Sequence, residues 1–195
     1  MNQQKQIFFY FDYVDPGSYV TERQLVQLLS PEVEIVRYPF ELRPPPEDLI
    51  DPKMPDWITY QESVSTVAEE LKITLVSFDF MPWTRKAHEL RLHAVDVGME
   101  KNIHEALFDA RFREGADIGR INVLVDIATK LELDLTETKA VLDVDRYTNK
   151  VVEMRLKAEA DGIRSAPTIR IGSDNLECPV HINEFRKFLG SAHFI

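Results

Sequence analysis

Apolar and polar positions change period several times along the chain, and the changes mark out its elements. Ile7-Phe8-Phe9-Tyr10-Phe11 is an aromatic and β-branched run with the length of a buried strand. From Pro16 the period becomes helical, with Tyr19, Val20, Leu25, Leu28 and Leu29 recurring on one side. Val33, Ile35, Val36, Tyr38 and Phe40 read as a second strand, bounded by Pro39 and then by Arg43-Pro44-Pro45-Pro46. From Pro44 to Pro55 no long pattern survives, which predicts an irregular surface connection.

Helical stripes then dominate. Trp57, Ile58, Val64, Val67, Ala68 and Leu71 form one stripe, and a second helix runs from Thr84 to a stop at Gly98 after the apolar loop Phe78 to Trp83. Further helices are expected over 102–113, 118–131 and 145–161, with Leu135-Thr136-Glu137-Thr138 as a short cap between the last two. Strand signals return at Thr168-Ile169-Arg170-Ile171 and at Leu176 to Val180, joined by turn residues 172–175, and His181 to Leu189 closes the chain as a helix. The order predicts an α/β protein in which a strand-bearing part over 1–55 and 146–195 is interrupted by a helical insertion over 56–145, and it resembles the thioredoxin fold.

The junction at Val14-Asp15-Pro16-Gly17-Ser18-Tyr19 is a strand-to-helix turn. Asp15 has the side chain of an N-cap and Pro16 the fixed φ suited to the first helical position. The positive end of the helix dipole faces this turn, which suits an anion or a thiolate and is expected to keep Asp15 ionised. Composition narrows the chemistry. The 195 residues, 44% of them hydrophobic, suffice for a packed core, and the net charge of −10 with no basic cluster argues against nucleic acid and anionic membrane surfaces. Cys178 is the single cysteine, so neither an intramolecular disulfide nor a two-thiol redox centre can form within one chain. A polar start without a signal-peptide pattern, and the lack of a membrane-length apolar run, predict a soluble cytoplasmic protein.

Four stretches carry a family resemblance: Phe11 to Tyr19, Pro82-Trp83-Thr84-Arg85-Lys86-Ala87-His88, Phe112 to Ile118, and Ser165-Ala166-Pro167-Thr168-Ile169. They resemble the DsbA-like thioredoxin superfamily. The similarity is to its cytoplasmic branch of polyketide-pathway dithiol-disulfide isomerase-like proteins, 2-hydroxychromene-2-carboxylate isomerases and kappa-class glutathione transferases. The resemblance implies a thioredoxin fold with a large all-helical insertion and makes Ala166-Pro167 the counterpart of the cis-proline loop facing the turn. Asp15 then matches the first cysteine of Cys-Pro-x-Cys and Ser18 the second.

These departures set the functional expectations. Thiol exchange needs an attacking thiolate and a resolving thiol, and the turn has neither; Cys178 reads as a small buried apolar residue. The resemblance admits glutathione as a cofactor, but a carboxylate at position 15 opposes a glutathione thiolate, and Trp83 stands where those relatives commonly carry Asn. Three functions remain open. The first is a cysteine-free DsbA-like protein binding a small molecule or extended peptide in a groove facing Pro167. In the second, an isomerase or transferase uses Asp15 as acid or base and Ser18 to orient substrate. The third is a non-catalytic binding module. Pro16, Gly17, Tyr19, Trp83, His88, Ala166 and Pro167 are the expected groove residues. No metal site is expected, since Glu89 with His93 reads as a surface pair, and the helical block offers apolar surface for a homodimer.

Overall fold

The computed structural model describes residues 5–76, 78–191 and 194. Among them, β1 (Gln6–Phe11) is central in a four-stranded mixed sheet of order β2-β1-β3-β4, with β2 at Glu34–Pro39, β3 at Thr168–Ile171 and β4 at Asp174–Glu177. β1 pairs parallel with β2 and antiparallel with β3, and β3 with β4 form an antiparallel hairpin. Side chains of β1 alternate between two covered faces. Ile7, Phe9 and Phe11 enter the main core, whereas Phe8 and Tyr10 pack in a smaller cluster with Phe40, Ala158, Ile163 and Ala166.

Between β1 and β2 runs α1 (Pro16–Leu28), and between β2 and β3 lie α2 (Pro55–Glu70), α3 (Arg85–Asp96), α4 (Glu100–Phe112), α5 (Ile121–Lys130), α6 (Leu135–Asp143) and α7 (Thr148–Ala160). α8 (Ile182–Ser191) follows the hairpin. The main core is continuous from the sheet through Leu90, Leu107, Phe108 and Leu124 of the helical block to Phe185 and Leu189 of α8. No described helix is long and apolar enough to cross a membrane.

Two of the differences from the sequence reading have a direct physical cause. Asp134 caps a full nine-residue helix by accepting the Glu137 N–H at 2.7 Å, so Leu135 to Thr138 form its first turn instead of an isolated cap. The second hairpin strand begins at Asp174, not Leu176, and ends before Pro179. Ile171 pairs with Asp174, Arg170 Nε donates to Asn175 Oδ1 at 2.8 Å, and Pro179 has no N–H with which to extend the ladder. The peptide bonds Pro45–Pro46, Ala166–Pro167 and Cys178–Pro179 are cis.

Candidate functional site

Asp15 caps α1 in extended backbone, with φ −93° and ψ 115°. Its Oδ1 accepts from Gly17 N (3.2 Å) and the Tyr60 hydroxyl (2.7 Å); its Oδ2 accepts from Ser18 N and the Ser18 hydroxyl, both at 2.6 Å. Ser18 Oγ in turn accepts from Asp12 N at 3.2 Å. Four donors occupy the four lone-pair sites of the carboxylate, and Asp15 has no exposed surface. Burial pushes its pKa up to about 6, against the opposing pull of hydrogen bonds from Ser18 and Tyr60, and nearby Asp12 adds to the rise. Losing water costs the charged form more than the hydrogen bonds at the helix terminus return, but a pKa of about 6 still leaves the carboxyl mostly ionised at neutral pH.

The space beyond the turn is filled by the protein itself. A Cβ on Gly17 would lie 2.2 Å from Tyr60 Oη, 2.8 Å from Pro179 Cδ and 3.3 Å from Pro167 Cδ. Glycine is required here by close approach. The turn and the Ala166–Pro167 loop do come together, but Tyr60 of α2 and Pro179 occupy the place where an open groove was expected. Ala166 and Pro167 are both buried. Pro16 borders a depression of about 200 Å³ formed with Gln61, Ser65, Leu75, Val76 and Phe78.

Other residues singled out from the sequence are placed differently. Tyr19 is a core residue and not a groove wall: its ring stacks on Phe112 at 5.2 Å and its hydroxyl donates to Asp109 at 3.1 Å. His88 is likewise enclosed, with Nε2 3.3 Å from Asp12 Oδ1, while Asp12 Oδ2 accepts from Leu42 N at 2.7 Å. Glu89 and His93 are buried, which corrects their reading as a surface pair. Glu89 accepts from Tyr147 N and the Thr148 hydroxyl, both at 2.9 Å, and pairs with Lys86 at 3.0 Å. Tyr147 and Thr148, long-range partners absent from its own helix, explain the burial, and Lys86 adds an ion pair from one turn earlier in α3. Cys178 is half-buried, and burial raises its thiol well above the ordinary value.

Sequence reasoning missed Tyr60, though a signal existed: positions 60, 64, 67 and 68 share one helix face, and Val64, Val67 and Ala68 are buried on it. It also missed a buried charged layer beneath the turn. Glu22 pairs with Arg37 at 2.6 Å and with His104 at 3.4 Å, and the Tyr13 hydroxyl is hydrogen-bonded to His104 Nδ1 at 2.8 Å. Burial works to raise the Glu22 pKa, but His104 and Arg37 outweigh it and hold it at about 2. His104 is pushed down to about 4 by burial, against the pull of Glu22.

A cavity of about 870 Å³ lies between the connection following β2 and the start of α2. Leu42, Leu49, Ile50, Met54 and Trp57 are its apolar lining, and Arg43, Glu47, Asp48, Asp51 and Asp56 its charged lining. A narrow crevice shares Arg43, Leu49 and Ile50 with it and touches Asp12, Val14, Met81 and Pro82. Trp83, 43% exposed, pins the connection by donating from Nε1 to the Glu47 carbonyl at 3.1 Å.

A thioredoxin-type sheet, the helical block within it and the capped turn at the start of α1 define a known class. The family model of the DSBA-like thioredoxin domain matches residues 6–189, and the chain belongs to that family. Among individual relatives, it is 32% identical over 171 residues to the uncharacterized protein YwbO of Bacillus subtilis, covering 84% of each chain. A probable DsbA oxidoreductase from Streptomyces coelicolor superposes with a TM-score of 0.82 at 18% identity, over 96% of this chain and 89% of that one. A 2-hydroxychromene-2-carboxylate isomerase superposes with a TM-score of 0.77 at 17% identity, over 96% and 93%. At such identities the two structures share the fold with this chain.

Proposed function

We propose that this chain is a DsbA-family protein that has no dithiol chemistry and instead binds a small molecule in the cavity behind the 42–57 connection, as a cytoplasmic protein. The observation that carries the reading is the state of Asp15. It stands at the turn where exchange would need a thiolate, fully enclosed and with every acceptor site used. A small molecule is favoured over an extended peptide because Tyr60 and Pro179 fill the face between the turn and Pro167, whereas the 870 Å³ cavity is of ligand size.

The reading has two checks. In an insulin-reduction assay with dithiothreitol or glutathione, precipitation should follow the protein-free rate; catalysis at the rate of a two-cysteine relative would overturn it. Both tryptophans of the chain, Trp57 and Trp83, adjoin the connection, so a ligand entering the cavity should change their fluorescence.

One observation favours a second reading, an isomerase-type reaction. A carboxyl with a pKa near 6 is suited to moving protons at neutral pH, and the Tyr60 hydroxyl is its hydrogen-bonded outlet. Turnover of aromatic α-keto acids or glutathione conjugates that survives Asp15→Asn unchanged would remove Asp15 from any such mechanism.

A further inference from the structure

The cavity's lining also carries information about charge. Its apolar lining, Leu42, Leu49, Ile50, Met54 and Trp57, suits a hydrocarbon or aromatic body. The one cationic lining residue, Arg43, lies 3.7 Å from Glu47, so its charge is largely balanced at its own rim. Asp48, Asp51 and Asp56 make no ion pair among the described residues. Asp51 accepts the Lys53 backbone N–H at 2.9 Å, and Lys53 itself is not part of the lining. Three carboxylates thus stand around an apolar hollow on a chain whose net charge is already −10. An apolar wall with charges of one sign at its mouth focuses the field and raises the local concentration of the opposite ion.

Resting on the reading of this cavity as the ligand site, we infer that its ligand is an amphipathic cation: a protonated amine carried on an aromatic or alkyl body. The body packs against the apolar lining, to which Trp57 adds an aromatic ring suited to a neighbouring cation. The ammonium group lies toward Asp48, Asp51 and Asp56. Carboxylate ligands of the same shape, glutathione among them, bring further negative charge to this mouth and are disfavoured.

The test is a calorimetric titration of the full chain with three probes of one shape: 2-naphthylmethylamine, 2-naphthylmethanol and 2-naphthoate. The amine should bind about tenfold more tightly than the alcohol, the sum of three modest exposed-charge interactions, with the carboxylate weaker still. The preference should fall as salt is raised. It should also collapse in the combined variant Asp48→Asn, Asp51→Asn, Asp56→Asn, whose changes are all at exposed positions. An alcohol or carboxylate that binds as tightly as the amine would overturn the charge inference while leaving the cavity reading intact. Binding of none of the three would overturn the cavity reading, and this inference with it. The salt series reads the same charge term without any substitution, so the outcome does not depend on the triple variant folding.

Discussion

Replacing Asp15 by Asn tests the closure of the turn through stability. An acid whose folded pKa lies above its unfolded value holds its proton more tightly when folded. The folded state therefore binds more protons between the two values, and stability falls as pH rises through that window. For Asp15 the window runs from 3.8 to about 6. Its cost is absent below the unfolded value and complete above the folded one, where it amounts to about 3 kcal/mol; roughly 2 kcal/mol of this develops between about pH 4 and about pH 7.5. The amide of the variant has no such titration. The rearranged hydrogen bonds to Gly17, Ser18 and Tyr60 add an offset that does not vary with pH, and acids remote from the turn titrate alike in both proteins. Urea unfolding at a series of pH values should therefore show the wild type losing roughly 2 kcal/mol relative to Asp15→Asn across that range. Tyr60→Phe removes a donor that favours the charged form, so it should raise the Asp15 pKa further, visible in the carboxyl carbon titration by NMR. A wild-type-minus-variant difference flat to about 0.5 kcal/mol would mean an Asp15 in contact with water, and the enclosed turn would be refuted.

Two further outcomes follow from the same region. Gly17→Ala should destabilise the protein by about 2 kcal/mol, because Tyr60 can swing aside but the Pro179 ring is fixed; a neutral thermal-melting result would show that the contact is loose. Glu22→Gln strips Arg37 and His104 of their carboxylate and should cost about 3 kcal/mol at neutral pH. Since the folded pKa of Glu22 is depressed from 4.5 to about 2, that deficit should narrow as pH falls below 4.5, as read by urea titration.

Much of this arrangement was legible because it is local. The β1 run is apolar at every position after Gln6, the Asp15-Pro16 pair is a strong helix start, and both features require only neighbours in sequence. The displaced start of β4 has a cross-strand cause: Asp174 and Asn175 look like turn residues until Arg170 and Ile171 are placed opposite them. The buried histidines and carboxylates were illegible for the same reason. Asp12 meets His88 across 76 positions of sequence, and nothing within either helix or turn reveals the pairing. As for the candidate site, the turn and the Pro167 loop were found to face one another, while the residue that closes over them, Tyr60, was hidden as one more aromatic on an amphipathic stripe.

The continuity of the core has a bearing on how the helical block can be regarded. Phe11 and Tyr13, at the end of the central strand, both pack on Phe108 and His104 of α4, at ring separations from 4.9 to 5.8 Å. The block is inserted in the order of the chain, yet in space it supplies one wall of the sheet's own interior. It is therefore not a detachable module: excising it would strip the end of β1 and the start of α1 of their cover, and the sheet would lose the surface that gives it a reason to fold.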